Sequence, residues 1–353
     1  MKLSNPAHIL PELPRGSDVL ILRLRSLGDM VMLTPALAAV HAWRSDLKLH
    51  VVSQPAFAAV LEGNPAIASV IPFRTVLACA QELRRHKFPV LFNQHGGPTS
   101  AVLAAGAKVP VRVCWHHCQF GFVYNVRVPG TSQFFGARAV HTVEHRITQF
   151  YFTGLPRGPI PPPQVFPQAG AVASVREKLR ARGIGDAERY AVIHPGASDP
   201  SKQWPIERFG KVARWLHSAH GLRPLIRLGP NDAALAAAIP QHFGREALAL
   251  DADSMDLREA IALIAGASFF LGNDSGPAHL AAAASRPLVV LFGPTDPATW
   301  APWQTPHRAV QSPGPCPNCK SGRCFATDGG RCILAIPFEQ VQAACAEMLP
   351  NLT

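Results

Sequence analysis

The sequence predicts an α/β protein of two Rossmann-like, doubly wound domains, each of roughly 150 residues. Two observations predict this fold: short apolar strands alternate with helical segments in both halves, and a proline-rich stretch separates the halves. The length of 353 residues and the 48% hydrophobic content allow each half to bury its own core. Because ligands of such folds bind beyond the carboxyl ends of the strands, we expect the functional residues in the loops there.

The first half, residues 1–160, alternates strand and helix from its start. Short apolar runs predict strands and 3.6-residue spacing predicts helices. The predicted strands are Val19–Leu24, Lys48–Val52, Val70–Pro72 and Val90–Phe92, and the predicted helices are Met30–Trp43, Ala56–Leu61, Val76–Arg85 and His141–Phe152. This alternation is typical of a parallel sheet covered by helices on both faces.

Six prolines among the thirteen residues Leu155–Pro167 predict an extended linker, because proline lacks the amide donor that helices and central strands need. The second half, residues 168–335, then repeats the alternation. Its predicted strands are Ala191–His194, Leu225–Leu228, Phe269–Gly272 and Leu288–Phe292, and its predicted helices are Ile206–His220, Asp232–Ile239, Leu257–Ala265 and Pro277–Ala284. A terminal helix, Pro337–Leu349 within residues 336–353, is predicted as a separate segment that can pack back on the N-terminal domain.

The formal net charge of +11 favours an anionic partner such as a nucleotide or a phosphorylated lipid. A nucleic-acid partner is disfavoured, since the sequence has neither an aromatic stacking platform nor a zinc-finger pattern. No apolar stretch approaches the about 20 residues of a membrane span. The prolines Pro6, Pro11 and Pro14 interrupt any secretion signal. We therefore expect a cytoplasmic protein whose eight cysteines are thiols.

The first motif is Ser26-Leu27-Gly28-Asp29, which follows the first predicted strand. Gly28 permits a tight turn and close approach of a ligand. Asp29 is predicted to be a general base that takes a proton from a sugar hydroxyl. The alternative from local sequence is that Asp29 only caps the following helix. The turn lacks G-x-G-x-x-G, which disfavours a dinucleotide cofactor.

The second motif runs from His194 to Pro205 and joins a strand to a helix. Gly196 and Ala197 are small residues that let backbone amides face a phosphate. Ser198 can donate a hydrogen bond, and Lys202 can neutralise a leaving diphosphate. Taken alone, Lys202 has the alternative of a solvated lysine in an ordinary loop.

The third motif, Gly272 to His279, again joins a strand to a helix. Ser275 and Gly276 offer a second anion site, and Asp274 is predicted to contact a sugar or ribose hydroxyl or to orient a neighbour. His279 can face the loop or fill the core. A weaker feature, Gly229 to Asp232, can meet the nucleoside, although helix capping by Asn231 or Asp232 is favoured on local grounds.

Two clusters of metal-binding residue types receive weaker interpretations. Their members are Cys316, Cys319, Cys324 and Cys332, and separately His116 and His117. The first two cysteines have the spacing of a zinc site, whereas the second pair is too widely spaced for a standard zinc ribbon. No metal is therefore the main prediction and structural zinc the alternative. No role is assigned to the histidine pair.

Four segments together resemble glycosyltransferase family 9, the bacterial lipopolysaccharide heptosyltransferases. They read RLRSLGDMVMLTPAL, HPGASDPSKQWP, GNDSGPAHLAAA and LFGPTDP, and they span nearly the whole chain. The resemblance implies a GT-B fold, in which an N-terminal acceptor-binding domain and a C-terminal donor-binding domain face each other across a cleft. It also implies an ADP-heptose donor, inversion at the anomeric carbon and no metal or other cofactor.

Position by position, the resemblance implies Asp29 as catalytic base, and it places donor phosphates at Lys202 and the Ser198 loop. It implies contacts from the Asp274–His279 loop to the donor sugar and diphosphate. The acceptor would be a phosphorylated lipopolysaccharide core at the cytoplasmic face of the inner membrane, which the +11 charge fits as a peripheral partner. Two alternatives stay open: a GT-B-like sugar-nucleotide epimerase and a non-catalytic sugar-nucleotide-binding protein.

Overall fold

The structure is a computed structural model, which describes residues 5–230, 232–250, 254–312, 319–320, 323–325 and 332–349. The chain divides into two compact units, Met1–Phe166 and Pro167–Thr353. The boundary falls in the predicted proline-rich linker, where residues 155–168 form neither helix nor strand.

The first unit contains a six-stranded parallel sheet in the order β3-β2-β1-β4-β5-β6. Its strands are β1 Asp18–Leu22, β2 Lys48–Ser53, β3 Ser69–Pro72, β4 Val90–Asn93, β5 Val111–Trp115 and β6 Val126–Val128. Its helices are α1 Leu27–Val31, α2 Thr34–Trp43, α3 Pro55–Ala58, α4 Val76–His86, α5 Pro98–Gly106, α6 Ser132–Phe135 and α7 Thr142–Phe152, with 3-10 turns at Pro6–His8 and Gly121–Val123. All four residues of β4 are buried, as expected for a central parallel strand.

The second unit repeats this plan with a six-stranded parallel sheet in the order β12-β11-β10-β7-β8-β9. Its strands are β7 Tyr190–His194, β8 Arg223–Arg227, β9 Leu248–Leu250, β10 Phe269–Asn273, β11 Leu288–Phe292 and β12 His307–Gln311, and a two-stranded ribbon pairs β13 Cys319–Lys320 with β14 Arg323–Cys324. Its helices are α8 Ala169–Arg180, α9 Ile206–His220, α10 Ala233–His242, α11 Leu257–Gly266, α12 Gly276–Ala283, α13 Pro297–Trp300 and α14 Phe338–Met348, with 3-10 turns at Pro200–Lys202 and Cys332–Ala335.

The strand order reverses direction between β1 and β4 in the first sheet and between β7 and β10 in the second. The loops that leave two such neighbouring strands turn to opposite faces, and they open a crevice beyond the carboxyl ends of the strands. The predicted motifs follow β1, β7 and β10, so three of these four central strands deliver them to the two crevices.

Several elements differ from the predictions. The predicted helix Met30–Trp43 is two helices, and the first begins earlier, at Leu27. The elements that were not predicted are strands β5, β6, β9 and β12, the β13–β14 ribbon, and helices α5, α6, α8 and α13. The terminal helix α14, predicted as a separate segment, contributes Val341, Cys345 and Met348 to the core of the second unit.

Candidate active site

Asp29 lies in the first turn of α1, just beyond the carboxyl end of β1. Ser26 is the N-cap of this helix, and its hydroxyl donates to Oδ2 of Asp29 at 3.0 Å. The alternative prediction that Asp29 caps the helix is therefore wrong. Gly28 is buried within the same turn, whereas the Asp29 side chain is 20% exposed and open to a reactant.

Two arginines hold Asp29 from both sides. Arg146 on α7 donates from Nη2 to Oδ1 of Asp29 at 2.5 Å, and Arg23 at the end of β1 donates from Nη2 to Oδ2. Both arginines also donate from Nη1 to the backbone carbonyl of Gln94, at 2.7 Å from Arg23 and 2.6 Å from Arg146. Because both guanidiniums are buried and share one carboxylate, the cluster keeps an excess of positive charge.

The pKa of Asp29 results from opposing effects. Burial raises it, but the charges of Arg146 and Arg23, with hydrogen bonds from Ser26 and Arg146, outweigh burial, so the pKa lies below its ordinary value. Burial, followed by the charge of Arg146, lowers the pKa of Arg23 to about 9 against the opposing effect of Asp29. Near pH 7 the carboxylate is therefore ionised, and it is a weak base in a fixed orientation.

His95 follows β4 and lies beside the Asp29 cluster. Burial, then the charges of Arg23 and Arg25, lower the pKa of His95 to about 4, so its imidazole is neutral near pH 7. Nδ1 of His95 and Oε1 of Gln94 are buried and have no hydrogen-bond partner in the described part of the chain. Buried polar atoms normally bond to protein, water or ligand, so the end of β4 offers polar groups to a bound molecule.

An aromatic stack supports Arg146. The ring centroid of Trp115 lies 4.3 Å from that of His145 and 6.1 Å from that of His117, and the Arg146 guanidinium lies 5.6 Å from the Trp115 ring centroid. Burial, then the charge of Arg146, lowers the pKa of His145 to about 3. The pKa of His117 is lowered by burial and by the charge of His116, so both histidines of the stack are neutral near pH 7.

In the second unit, Lys202 and Asp274 form an ion pair at the β7–β10 switch point. Nζ of Lys202 donates to Oδ2 of Asp274 at 2.7 Å, and the hydroxyl of Thr295 donates to the same oxygen at 2.6 Å. The Asp274 side chain is 5% exposed, whereas that of Lys202 is 21% exposed. The ammonium can therefore reach a ligand while the carboxylate holds it in place.

The LFGPTDP segment, Leu291–Pro297, packs against the turn that carries Lys202. A Cβ added at Gly293 would lie 2.5 Å from the carbonyl oxygen of Ser201, so only glycine lets the turn that carries Lys202 pack this closely. Asn273, beside Asp274, accepts from the amide of Trp204 at 3.2 Å through its side chain. The positions of Lys202 and Asp274 are thus fixed by contacts between three separate loops.

The loop after β8 packs so closely against residue 196 that only glycine fits at this position. A Cβ at Gly196 would lie 2.3 Å from Oδ2 of Asp232, and the same oxygen accepts the amide of Gly229 at 2.7 Å. Asp232 is the N-cap residue of α10, as predicted, but its side chain makes no capping hydrogen bond, and Asn231 lies outside the described residues. The carboxylate closes its own loop, and its contact with a nucleoside stays a prediction.

His194, at the end of β7, makes a side-chain hydrogen bond to the neighbouring strand β8. Nδ1 of His194 lies 2.7 Å from the carbonyl oxygen of Arg227, and because a carbonyl only accepts, Nδ1 carries the proton. Burial lowers the pKa of His194, which keeps the ring neutral.

Ser275 is the N-cap of α12, and its hydroxyl donates to the carbonyl of Asn273 at 3.1 Å instead of capping the helix. The first-turn amides, beginning with Gly276, therefore receive no cap from Ser275, and such amides bind anions. His279 is 7% exposed within α12.

In the loop after β7, Ser198 is exposed, and the carbonyl of Ala197 accepts from the Gln203 side chain at 2.9 Å.

Sequence reasoning missed several residues of these clusters, namely Arg23, Gln94, His95, Arg146 and Thr295. Two signals were available. The polar, glycine-rich run from residue 93 to residue 97 follows a predicted strand, as the assigned motifs do. Arg146 stands on the apolar side of a predicted helix, between Val143 and Ile147.

The cysteines do not behave uniformly. Cys114 and Cys118 form a disulfide, so the prediction of thiols is wrong for this pair. Within the cysteine loop, Sγ of Cys319 lies 4.0 Å from Sγ of Cys332. Cys319 lies opposite Cys324 in the backbone register of the β13–β14 ribbon, and neither forms a disulfide with another described residue. In the described residues no three His, Cys, Asp or Glu are arranged to hold a metal ion. Cys316 lies outside the described residues, and structural zinc stays an alternative prediction.

Among the helices described, none is long and apolar enough to cross a bilayer.

The sequence and the structure are both similar to known proteins. Residues 76–327 match the family described as glycosyltransferase family 9 (heptosyltransferase). The chain is 28% identical over 298 residues to lipopolysaccharide heptosyltransferase 3 of Escherichia coli, covering 79% of this chain and 84% of that protein.

Two solved structures are similar along nearly the whole length. A glycosyl transferase family 9 protein from Veillonella parvula DSM 2008 has a TM-score of 0.85 at 19% identity, covering 96% of this chain and 99% of that chain. The E. coli ADP-heptose LPS heptosyltransferase II has a TM-score of 0.77 at 20% identity, covering 95% and 99%. These similarities confirm the predicted fold class, an α/β GT-B fold of two Rossmann-like domains.

Proposed function

This chain belongs to glycosyltransferase family 9, and we propose that it transfers a heptose, or a related sugar, from an ADP-sugar to a hydroxyl of a lipopolysaccharide inner-core acceptor. It is therefore a glycosyltransferase, as the sequence motifs predict. The donor and the acceptor follow from the names of its relatives, which are lipopolysaccharide and ADP-heptose heptosyltransferases. Family membership favours transfer over the two alternatives, epimerisation and non-catalytic binding.

The ion pair between Lys202 and Asp274 carries the proposal for the donor. An ammonium group has three donors, and one of them satisfies Asp274, which leaves two for oxygens of the diphosphate. The amides at the start of α12 would add partial positive charge at the same switch point. Both bonds to Asp274 are accepted by Oδ2, so Oδ1 is the oxygen that would accept from a sugar hydroxyl.

In the first unit, Asp29 would accept the proton of the attacking hydroxyl. The bond from the acceptor oxygen to the anomeric carbon forms as the bond to the diphosphate breaks, and ADP leaves with inversion. Because the transition state resembles an oxocarbenium ion, the hydroxyl becomes acidic as its oxygen bonds to carbon, and a weak, ionised base suffices. Arg23 and Arg146 would orient the carboxylate, and their excess positive charge suits an anionic acceptor.

In this proposal Lys202 and the helix amides compensate the charge of the leaving diphosphate, which is why we propose transfer without a metal. We also propose that the enzyme works in the cytoplasm and contacts the inner membrane peripherally, where a lipid acceptor would be presented. The net charge of +11 supports attraction to an anionic membrane.

The function is tested with purified protein, ADP-heptose and a heptose-deficient inner-core acceptor. We expect ADP release and an acceptor heavier by one heptose, with and without EDTA. Parallel binding measurements with ADP-, UDP-, GDP- and CMP-sugars identify the donor. An isomerised sugar nucleotide formed without acceptor would establish an epimerase instead. Donor binding with no turnover on any inner-core acceptor would indicate a binding protein.

A further inference from the structure

The turn between β5 and β6 exposes two phenylalanines. Phe122 is 87% exposed and Phe120 is 49% exposed, and their rings meet edge to face with centroids 6.2 Å apart. We call this pair the aromatic turn. A large aromatic ring left almost wholly in water gains no burial energy in the folded chain, so a partner that covers it would supply that energy.

The backbone near the aromatic turn is also unusual. Phe120 has φ 55°, a left-handed conformation that bulky residues rarely adopt. Lys87, after α4, and Lys108, after α5, have φ 53° and 54°. These are three of the five non-glycine residues with positive φ in the described part of the chain, and such strain tends to cluster where a segment has a function.

Positive charge is concentrated in the same region. Residues 76–128 contain six lysines and arginines but a single acidic residue, Glu82, whereas the whole chain has 34 against 23. The six are Arg84, Arg85, Lys87, Lys108, Arg112 and Arg127, and all except the half-buried Arg112 are exposed. An ordinary solvated surface carries both positive and negative side chains. A region with almost only positive side chains is suited to an anionic partner.

Phe122 of the aromatic turn and four of the basic residues line two adjoining grooves. A groove of about 420 Å³ is lined by Phe122, Arg112 and Lys108, and an adjoining groove of about 370 Å³ is lined by Lys108, Arg84 and Lys87. Arg127 packs against the same turn, because a Cβ at Gly121 would be 3.2 Å from its guanidinium carbon.

Helix α5 extends the apolar part of this surface. Its exposed residues are Pro98, Thr99, Val102 and Ala105, none of them charged, and Val102 is 56% exposed. Ala105 lines the same groove as Phe122. The surface therefore combines an apolar strip and a projecting aromatic tip with a surrounding set of cations.

We propose that this surface docks the enzyme onto an anionic lipid bilayer. The rings of the aromatic turn enter the boundary between headgroups and acyl chains, and the surrounding arginines and lysines pair with lipid phosphates. Stable peripheral binding needs two such signals, one apolar and one electrostatic, and this surface supplies both. The choice of a bilayer over other anionic partners rests on the proposed function, because the proposed acceptor is a lipid.

The test is co-sedimentation of the full chain with vesicles of phosphatidylcholine alone or mixed with phosphatidylglycerol, without donor or acceptor. We expect binding only to the mixed vesicles, and weaker binding at high salt. Phe122→Ser should weaken binding by about tenfold or more, and Lys108→Glu and Arg127→Glu by about fivefold each. The matched controls Phe325→Ser and Lys211→Glu alter an exposed phenylalanine and an exposed lysine of the second unit and should bind as the unaltered chain does.

Three outcomes would overturn the proposal. The first is that the unaltered chain does not bind anionic vesicles, and the second is that Phe122→Ser binds them as strongly as the unaltered chain does. The third is that self-association or oligonucleotide binding depends on Phe122 whereas vesicle binding does not depend on it. Thermal unfolding and turnover on a water-soluble acceptor fragment should be unchanged in Phe122→Ser. If turnover fails in every variant and in the unaltered chain, the proposed sugar transfer fails, whereas the vesicle result stands by itself.

Discussion

Arg146 bonds to Asp29 across 117 residues of sequence, with Nη2 2.5 Å from Oδ1. The carboxylate predicted as catalytic base is thus held by a helix from the far end of its own unit. Arg23 holds the other oxygen, so Asp29 has little rotational freedom. This arrangement favours orientation over basicity, because both arginine charges lower the pKa of Asp29.

Replacement of Asp29 tests the base directly. We expect Asp29→Asn to reduce kcat by about 10²- to 10⁴-fold, the usual contribution of a general base, with little change in donor Kd. Asn keeps an acceptor for the arginines, whereas Asp29→Ala leaves two buried guanidiniums unpaired and should cost about 3–5 kcal/mol of stability. The matched control is Asp46→Asn, which removes a carboxylate from the Arg44 pair. Near-normal turnover of Asp29→Asn would refute the assignment.

Removal of Arg146 should change the pH dependence. Arg146 is the strongest charge lowering the pKa of Asp29, so Arg146→Met should raise that pKa and move the acid limb of the kcat/KM profile to higher pH. The ionised carboxylate stabilises the fold above the unfolded pKa of aspartate, and this stabilisation disappears as pH falls through the folded pKa. Because the folded pKa is higher in Arg146→Met, the loss should be complete at a higher pH there, as thermal unfolding across pH would measure.

Arg157→Met provides the comparison, since it removes an exposed arginine from the same unit. Its profile should coincide with that of the unaltered enzyme. An acid limb that does not move in Arg146→Met would show that Asp29 does not set it.

Lys202→Met should impair use of the donor. Loss of one cationic group at a leaving diphosphate typically costs 10²- to 10³-fold in rate, so we expect about that loss in kcat/KM for the ADP-sugar. ADP binding, measured by calorimetry, should weaken as well. Lys211→Met, an exposed lysine on α9, is the control. Unchanged kcat/KM in Lys202→Met would remove Lys202 from the donor site.

Gly293→Ala should displace the turn that carries Lys202. The added Cβ would lie 2.5 Å from the Ser201 carbonyl, and such overpacking costs about 1–3 kcal/mol. We expect a lower Tm and weaker ADP binding. Gly170→Ala, where a Cβ meets nothing within 4 Å, should lower neither. Normal ADP affinity in Gly293→Ala would show that the turn tolerates displacement.

The sequence was most informative where a single segment decides the outcome. Helix α9 occupies its predicted range, Ile206–His220, because its amphipathic spacing is strong and Gly221 ends it with φ 64°. The motifs after β1, β7 and β10 were found because small and polar residues interrupt apolar strands. Strand β6 was missed, since it has three residues and takes its place from pairing with β5.

Features that depend on long-range contacts escaped prediction. The bond between Thr295 and Asp274 joins loops 21 residues apart, and no local pattern marks Thr295 as a partner. The small residue at position 196 predicted a backbone amide that faces a phosphate. The structure shows a further reason for glycine, because a side chain at this position would collide with the Asp232 carboxylate. Sequence patterns identified the loops, but which side chains meet within them is decided by the order of strands in the sheet.

The repeated strand order has an evolutionary consequence. Each polar cluster is assembled from side chains of a single unit: the partners of Asp29 named above all lie in residues 1–166, and those of Asp274 all lie in residues 167–353. Under the proposed function, mutations that alter nucleotide preference can accumulate in residues 167–353 while the earlier half stays unchanged. Under the same proposal, a hybrid of residues 1–166 with the later half of a relative would take its acceptor from one parent and its donor from the other.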